Sequence, residues 1–77
     1  MARIFYDVVP SGRDWAVRCH KAALSSHVSK TGAISIAAAV AEGDHSSSGR
    51  ATGVRVRGDD GAWEVQGVFG ADPIAAA

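Results

Sequence analysis

Cysteine, proline and aromatic residues are scarce in this chain, which has one Cys, two Pro, two Trp, two Phe and one Tyr among 77 residues. A single cysteine, Cys19, excludes an intramolecular disulfide and every zinc site built on several cysteines. A charge excess of either sign is also missing. Eight basic and eight acidic residues cancel to a formal net charge of zero. No global field therefore draws the protein to nucleic acid or to an anionic lipid surface, and any such binding needs a local patch. Long hydrophobic runs are absent too. The longest uncharged stretch in the middle, Thr31 to Ala41, is Ala-rich and about half the length of a bilayer crossing. No membrane span is expected. Met1 to Asp7 lacks the apolar core and small-residue cleavage site of a secretion signal. Together with the lone thiol, this gives the expectation of a cytoplasmic protein.

What is present suits one small globule. A composition of 47% hydrophobic and 21% charged residues is that of a folded chain, and the length allows one domain over residues 1–77, with 71–77 as a tail that packs or frays. A chain of this size buries only about 60% of the surface its unfolded state exposes. With no disulfide to help, self-association is the expected further support.

Ile4, Tyr6 and Val8 alternate with Arg3, Phe5 and Asp7, and the run stops at Pro10-Ser11-Gly12-Arg13. That is a strand and a turn. Trp15, Val17 and Cys19 alternate with Ala16, Arg18 and His20 as a second strand. Ala33, Ile34, Ala37, Val40 and Ala41 then recur at helical spacing, which predicts a helix over 30–42 with Ser29 as N-cap and Gly43 as its end. Asp44 to Arg50 is small, polar and aperiodic, and reads as a mobile loop. Val54 and Val56 alternate with Arg55 and Arg57. After the turn residues Gly58-Asp59-Asp60-Gly61, Trp63, Val65 and Gly67 alternate with Glu64 and Gln66. The expectation is an α+β domain of order ββαββ, a four-stranded antiparallel sheet on one helix. Its core rows are Ile4/Tyr6/Val8, Trp15/Val17/Cys19, Val54/Val56 and Trp63/Val65. Strand order stays open.

Val8-Val9-Pro10, Gly12, Trp15-Ala16-Val17, the Ser/His segment before the Ala-Ile helix, Gly61, and Phe69-Gly70 with Asp72-Pro73 occur in an order that spans nearly the whole chain. In these residues the sequence resembles the small bacterial proteins grouped as domain of unknown function 2188. The resemblance implies a single small bacterial domain and supplies no reaction, ligand or catalytic residue. This chain departs from the family pattern at Gly32, where an acidic residue is usual, and at Ala38 and Ala39, where charged residues are usual. Gly32 removes half of a capping box, and the two alanines turn a solvated helix face apolar. Ile36, Ala38 and Ala39 are the candidate self-association face.

No constellation converges on catalysis. Cys19 and His20 are adjacent on a strand and point to opposite faces, so Cys19 reads as a small core residue. His27, after Ser25 and Ser26, reads as a loop residue bonding backbone near the helix start. His20, His27 and His45 share no metal-ligand spacing. Ser29-Lys30-Thr31-Gly32 lacks the glycines of a phosphate loop. No catalytic, cofactor, metal or small-molecule site is inferred, and an enzyme is not expected.

The outward row of the sheet is different. Arg3, Phe5, Arg18, His20, Arg55 and Arg57 are predicted to share it, a basic face with one aromatic, alongside Asp7, Glu64 and Gln66. A salt-bridged, solvated face is the simplest account of that row. Its alternative is nucleic-acid binding. The favoured function is a non-enzymatic interaction or accessory module that forms a homodimer or other homo-oligomer, with nucleic-acid binding through the basic face as the alternative.

Overall fold

The computed structural model of the chain describes residues 3–20 and 22–70. The elements are β1 (Ile4–Ser11), β2 (Asp14–Cys19), β3 (Ala22–His27), α1 (Lys30–Ser48), β4 (Thr52–Arg57) and β5 (Trp63–Phe69). They form one helix on a five-stranded sheet of order β3-β2-β1-β4-β5. The fold is α+β as expected, but with five strands rather than four, and mixed rather than antiparallel. β1 runs parallel to β4, with Ile4 beside Thr52 and Val8 beside Val56, while the other three pairings are antiparallel. Parallel neighbours need a long crossover, and α1 supplies it by returning the chain to the start of β4 beside β1. The additional strand, Ala-Ala-Leu-Ser-Ser-His, has neither alternation nor β-branched residues. It forms because it pairs with the free edge of β2, a tertiary contact that outweighs local preference. Residues 71–77 of the predicted tail lie outside the described residues.

The helix packs on one face of the sheet. Its buried line is Ala33, Ala37 and Ala41, each without solvent exposure, resting on Tyr6, Val8, Val17, Val54 and Val56. Alanine at spacing four lets the helix backbone come close to the sheet. Thr52, the buried polar residue of this layer, donates its hydroxyl to the Ala41 carbonyl at 2.6 Å, and among the described residues no buried side-chain nitrogen or oxygen lacks a partner. Ile4, Trp15, Cys19, Ile34, Ala38 and Phe69 close the margin of the core.

Ser29 is the N-cap, accepting from the Gly32 amide at 3.0 Å. The other end differs from expectation. The helix runs past Gly43 to Ser48 and stops at Gly49, whose φ of 75° is the left-handed form and whose N–H bonds the His45 carbonyl. The supposed mobile loop is thus the last turn of the helix and its cap. Asp44 holds it there. One carboxylate oxygen accepts from the Tyr6 hydroxyl at 2.8 Å, and the other accepts from Arg50 at 2.7 Å and Ser48 at 3.0 Å. These bonds offset the modest cost of a glycine inside a helix, about 0.5–1 kcal/mol. The Asp44 carboxyl is drawn below its usual range by the Arg50 hydrogen bond first and by Tyr6 second.

Burial first, then the Asp44 hydrogen bond and charge, push the Tyr6 phenol up to about 12. An unfolded tyrosine titrates near 10, so the unfolded chain loses this proton before the folded one does. The contribution is complete below about pH 10 and is lost as pH rises toward about 12. Tyr6 is the only tyrosine, so phenolate absorbance should titrate near 12 in native protein and near 10 in urea. Asp44→Asn should move the native value downward. A native midpoint near 10 would contradict the Tyr6–Asp44 contact.

Candidate functional site

The face of the sheet opposite the helix is where the sequence-predicted basic residues meet. Register places Asp7 beside both Arg18 and Arg55, and Phe5 beside Gly53, on that outer side. One further register feature decides its character. Between β4 and β5 the pairing shifts, so that Val54 faces Gly67 but Arg55 faces Val65. The extra residue, Gln66, forms a β-bulge that reverses which side of the strand each preceding residue takes. Trp63 and Val65 therefore leave the predicted core row and stand on the outer face, opposite Arg57 and Arg55. Glu64 moves the other way, to the helix side beside Val56. Alternation alone gives the opposite assignment. The signal available in the sequence was Gly67 beside Gln66, a glycine within a strand, which often marks a bulge.

The bulge exchanges an acid for an aromatic on the outer face. Trp63, 42% exposed, sits with its ring centroid 4.2 Å from the Arg55 guanidinium carbon, and Phe5 has its centroid 5.2 Å away. Arg55 also donates to the Asp7 carboxylate, Nε at 2.6 Å and Nη2 at 3.4 Å. One cation is thus held by two rings and a carboxylate. Around this assembly lies an open trough of about 700 Å³ lined by Phe5, Asp7, Arg18, Arg55, Arg57 and Trp63. His20 and Arg3 line it as well. A second hollow of about 420 Å³ lies between Arg18 and Arg57 and the β4–β5 turn, where Asp59 lines it.

The six predicted face residues play unequal parts. Arg3 turns its guanidinium onto the backbone, donating to the carbonyls of Thr52 (2.7 Å), Phe69 (2.9 Å) and Gly70 (3.1 Å), and so ties β4 to the end of β5. Arg55 is the paired centre. Arg57 is exposed on the last residue of β4, and Arg18 is exposed beside Asp7. His20 occupies the left-handed region at φ 51° as the chain leaves β2, a conformation His tolerates better than most residues. Phe5 lies against Gly53.

The remaining candidates are placed elsewhere. Ser25 and His27 lie on β3 rather than in a loop, with Oγ and Nε2 2.8 Å apart; neither hollow of the outer face includes them. They are two polar groups of an edge strand that satisfy one another. Burial, followed by the charges of Asp44 and Asp7, pushes the Cys19 thiol up and keeps it protonated. His45 donates from Nδ1 to the Arg50 carbonyl at 2.7 Å. Among the described residues no group of three or more His, Cys, Asp and Glu could hold a metal ion, and no helix is long and apolar enough to cross a membrane. On the helix, Ile36 is 42% exposed and Ala39 is exposed, whereas Ala38 packs against the core; Val40, at 39%, extends the apolar surface instead.

Fold and site together define a small open-faced sheet with a basic and aromatic surface. Comparison with known protein families, with curated proteins and with solved structures returns no match for the chain.

Gly53 is the position on which the outer face is most sensitive to volume. A Cβ there would stand 2.8 Å from the Phe5 ring and 3.0 Å from the Gly67 carbonyl. Gly53→Ala should destabilise the fold by about 1–3 kcal/mol in urea unfolding, and Phe5→Leu in the same chain should recover part of the loss. Unchanged stability would show that Phe5 does not rest on Gly53.

Proposed function

We propose that this chain is a non-enzymatic, cytoplasmic interaction module that binds nucleic acid on the outer face of its sheet. The observation that carries it is the exchange made by the β5 bulge, which brings Trp63 onto the arginine-bearing face and takes Glu64 off it. A chain of zero net charge carries Arg3, Arg18, Arg55 and Arg57 with Asp7 on one surface, and the bulge adds Trp63 to Phe5 among them. Arginines attract the phosphate backbone, and rings supply stacking surface that tolerates any base. Asp14 opens β2, and Asp59, in the β4–β5 turn, lines the second hollow. On the Val8–Val17 and Phe69–Pro73 motifs we also propose membership of the domain of unknown function 2188 group, which assigns no competing ligand.

Self-association is the second reading, favoured by the exposed apolar residues Ile36, Ala39 and Val40 on the helix. The uncharged edge strand β3, with Ala22, Ala23, Leu24 and Ser26 exposed, supports it as well. A homodimer formed there leaves the outer face open.

Titration with single- and double-stranded oligonucleotides at low salt should show binding that weakens linearly in log–log form as salt rises. Arg57→Ala should weaken it and lower the salt slope by about one. Failure of every oligonucleotide to bind at low salt would refute the assignment.

A further inference from the structure

We infer that the nucleic acid this face accepts is single-stranded, with a base stacked on Trp63 and with Arg55 acting as a positioning residue for that ring rather than as a phosphate ligand. The inference rests on the nucleic-acid reading above and adds the strand class and the division of labour among the arginines.

Arg55 is already committed. Two of its nitrogens face Asp7, at 2.6 and 3.4 Å, so its charge is matched, and it lies 5.2 Å from one ring centroid and 4.2 Å from the other. A guanidinium so placed orients Trp63 and adds little net field for a phosphate. Trp63 nevertheless stays 42% exposed, whereas Phe5 is partly buried, so Trp63 is the aromatic of the pair with surface to offer. Directly across the ladder from it stands Arg57, itself exposed. Side chains opposite one another on adjacent strands have Cβ atoms about 4.5–5.5 Å apart. A base stacked on Trp63 therefore brings its own phosphate within reach of the Arg57 guanidinium. The second hollow continues from Arg57 along Arg18 and the β4–β5 turn, and offers the strand a path off the sheet.

A duplex does not use this arrangement. Its bases stack on one another, and a flat sheet face touches only its phosphates, so Trp63 and Phe5 would contribute nothing. An unpaired strand presents base faces and phosphates together, which matches a ring beside an arginine.

The test compares a short homopyrimidine strand with a hairpin duplex of equal charge, following affinity, salt slope and tryptophan emission. The strand should bind more tightly and quench emission. Trp63→Ala should cost about tenfold in affinity for the strand, with an unchanged salt slope and little effect on the duplex. Trp63→Phe, which keeps a ring, should retain most of the affinity yet abolish the quench, because Trp15 lies on the opposite, helix-facing side. Arg55→Ala should weaken strand binding without changing the slope, whereas Arg57→Ala lowers it. Equal binding of strand and duplex, or an inert Trp63→Ala, would overturn this inference and leave the nucleic-acid reading standing. A slope lowered by Arg55→Ala as much as by Arg57→Ala would make Arg55 a phosphate ligand and overturn its role. Absence of binding to both probes would remove the two readings together.

Discussion

The contact between the alanine line of the helix and the centre of the sheet governs the rest of this molecule. Ala33, Ala37 and Ala41 are fully buried on the strands that carry Val8, Val17 and Val54. Small side chains bring the helix close, and closeness lets a chain of this size make a dry layer from mostly short residues. The same geometry has a cost. One helix covers one face, and five strands leave a broad second face in water. A sheet in that position needs its own lateral cohesion, and here polar and aromatic groups supply it in place of a second apolar layer.

Two clusters provide that cohesion, one on each side. On the helix side, Tyr6, Asp44, Ser48 and Arg50 tie the last helical turn to β1 and to the chain leading into β4. On the outer side, Asp7 from β1, Arg55 from β4 and Trp63 from β5 link three neighbouring strands, with Phe5 completing the set over Gly53. The helix-side cluster is closed, since its groups satisfy each other. The outer cluster is open, since its rings and Arg57 still face solvent. That difference, and not the number of arginines, makes the outer face the place to look for a ligand. A salt-bridged solvated face accounts for Arg55 and Asp7, but it gives no reason for a half-exposed tryptophan beside them.

Local chemistry was a sufficient guide wherever it acted through neighbours in sequence. The rows Ile4/Tyr6/Val8, Trp15/Val17/Cys19 and Val54/Val56 take the sides that alternation predicts, and Ser29 caps the helix, because a pleated strand and a helix start are decided over a few residues. The basic row Arg18, Arg55 and Arg57 follows from the same period. Where this chemistry misled, a partner on another element had the last word. Gly43 ends a helix on local grounds, but Asp44 reaches Tyr6, 38 residues away, and the helix continues. Ala22–His27 carries no strand signal, but β2 has an edge to pair.

The sequence by itself therefore determined the α+β class, the single helix and its N-cap, three of the five strands with the correct side inward, and a face rich in arginine. Only the tertiary structure decided the fifth strand, the parallel pairing of β1 with β4, and the side taken by Trp63. The physical reason common to all three is pairing between strands. Each depends on ladder hydrogen bonds, to a far segment for β1 and β4 and to the neighbouring strand of a hairpin for β3 and for Trp63, and a one-residue shift in such a ladder reverses every side chain beyond it. The bulge at Gln66 is that shift, and with it the largest aromatic of β5 passes from the expected core to the exposed arginine face.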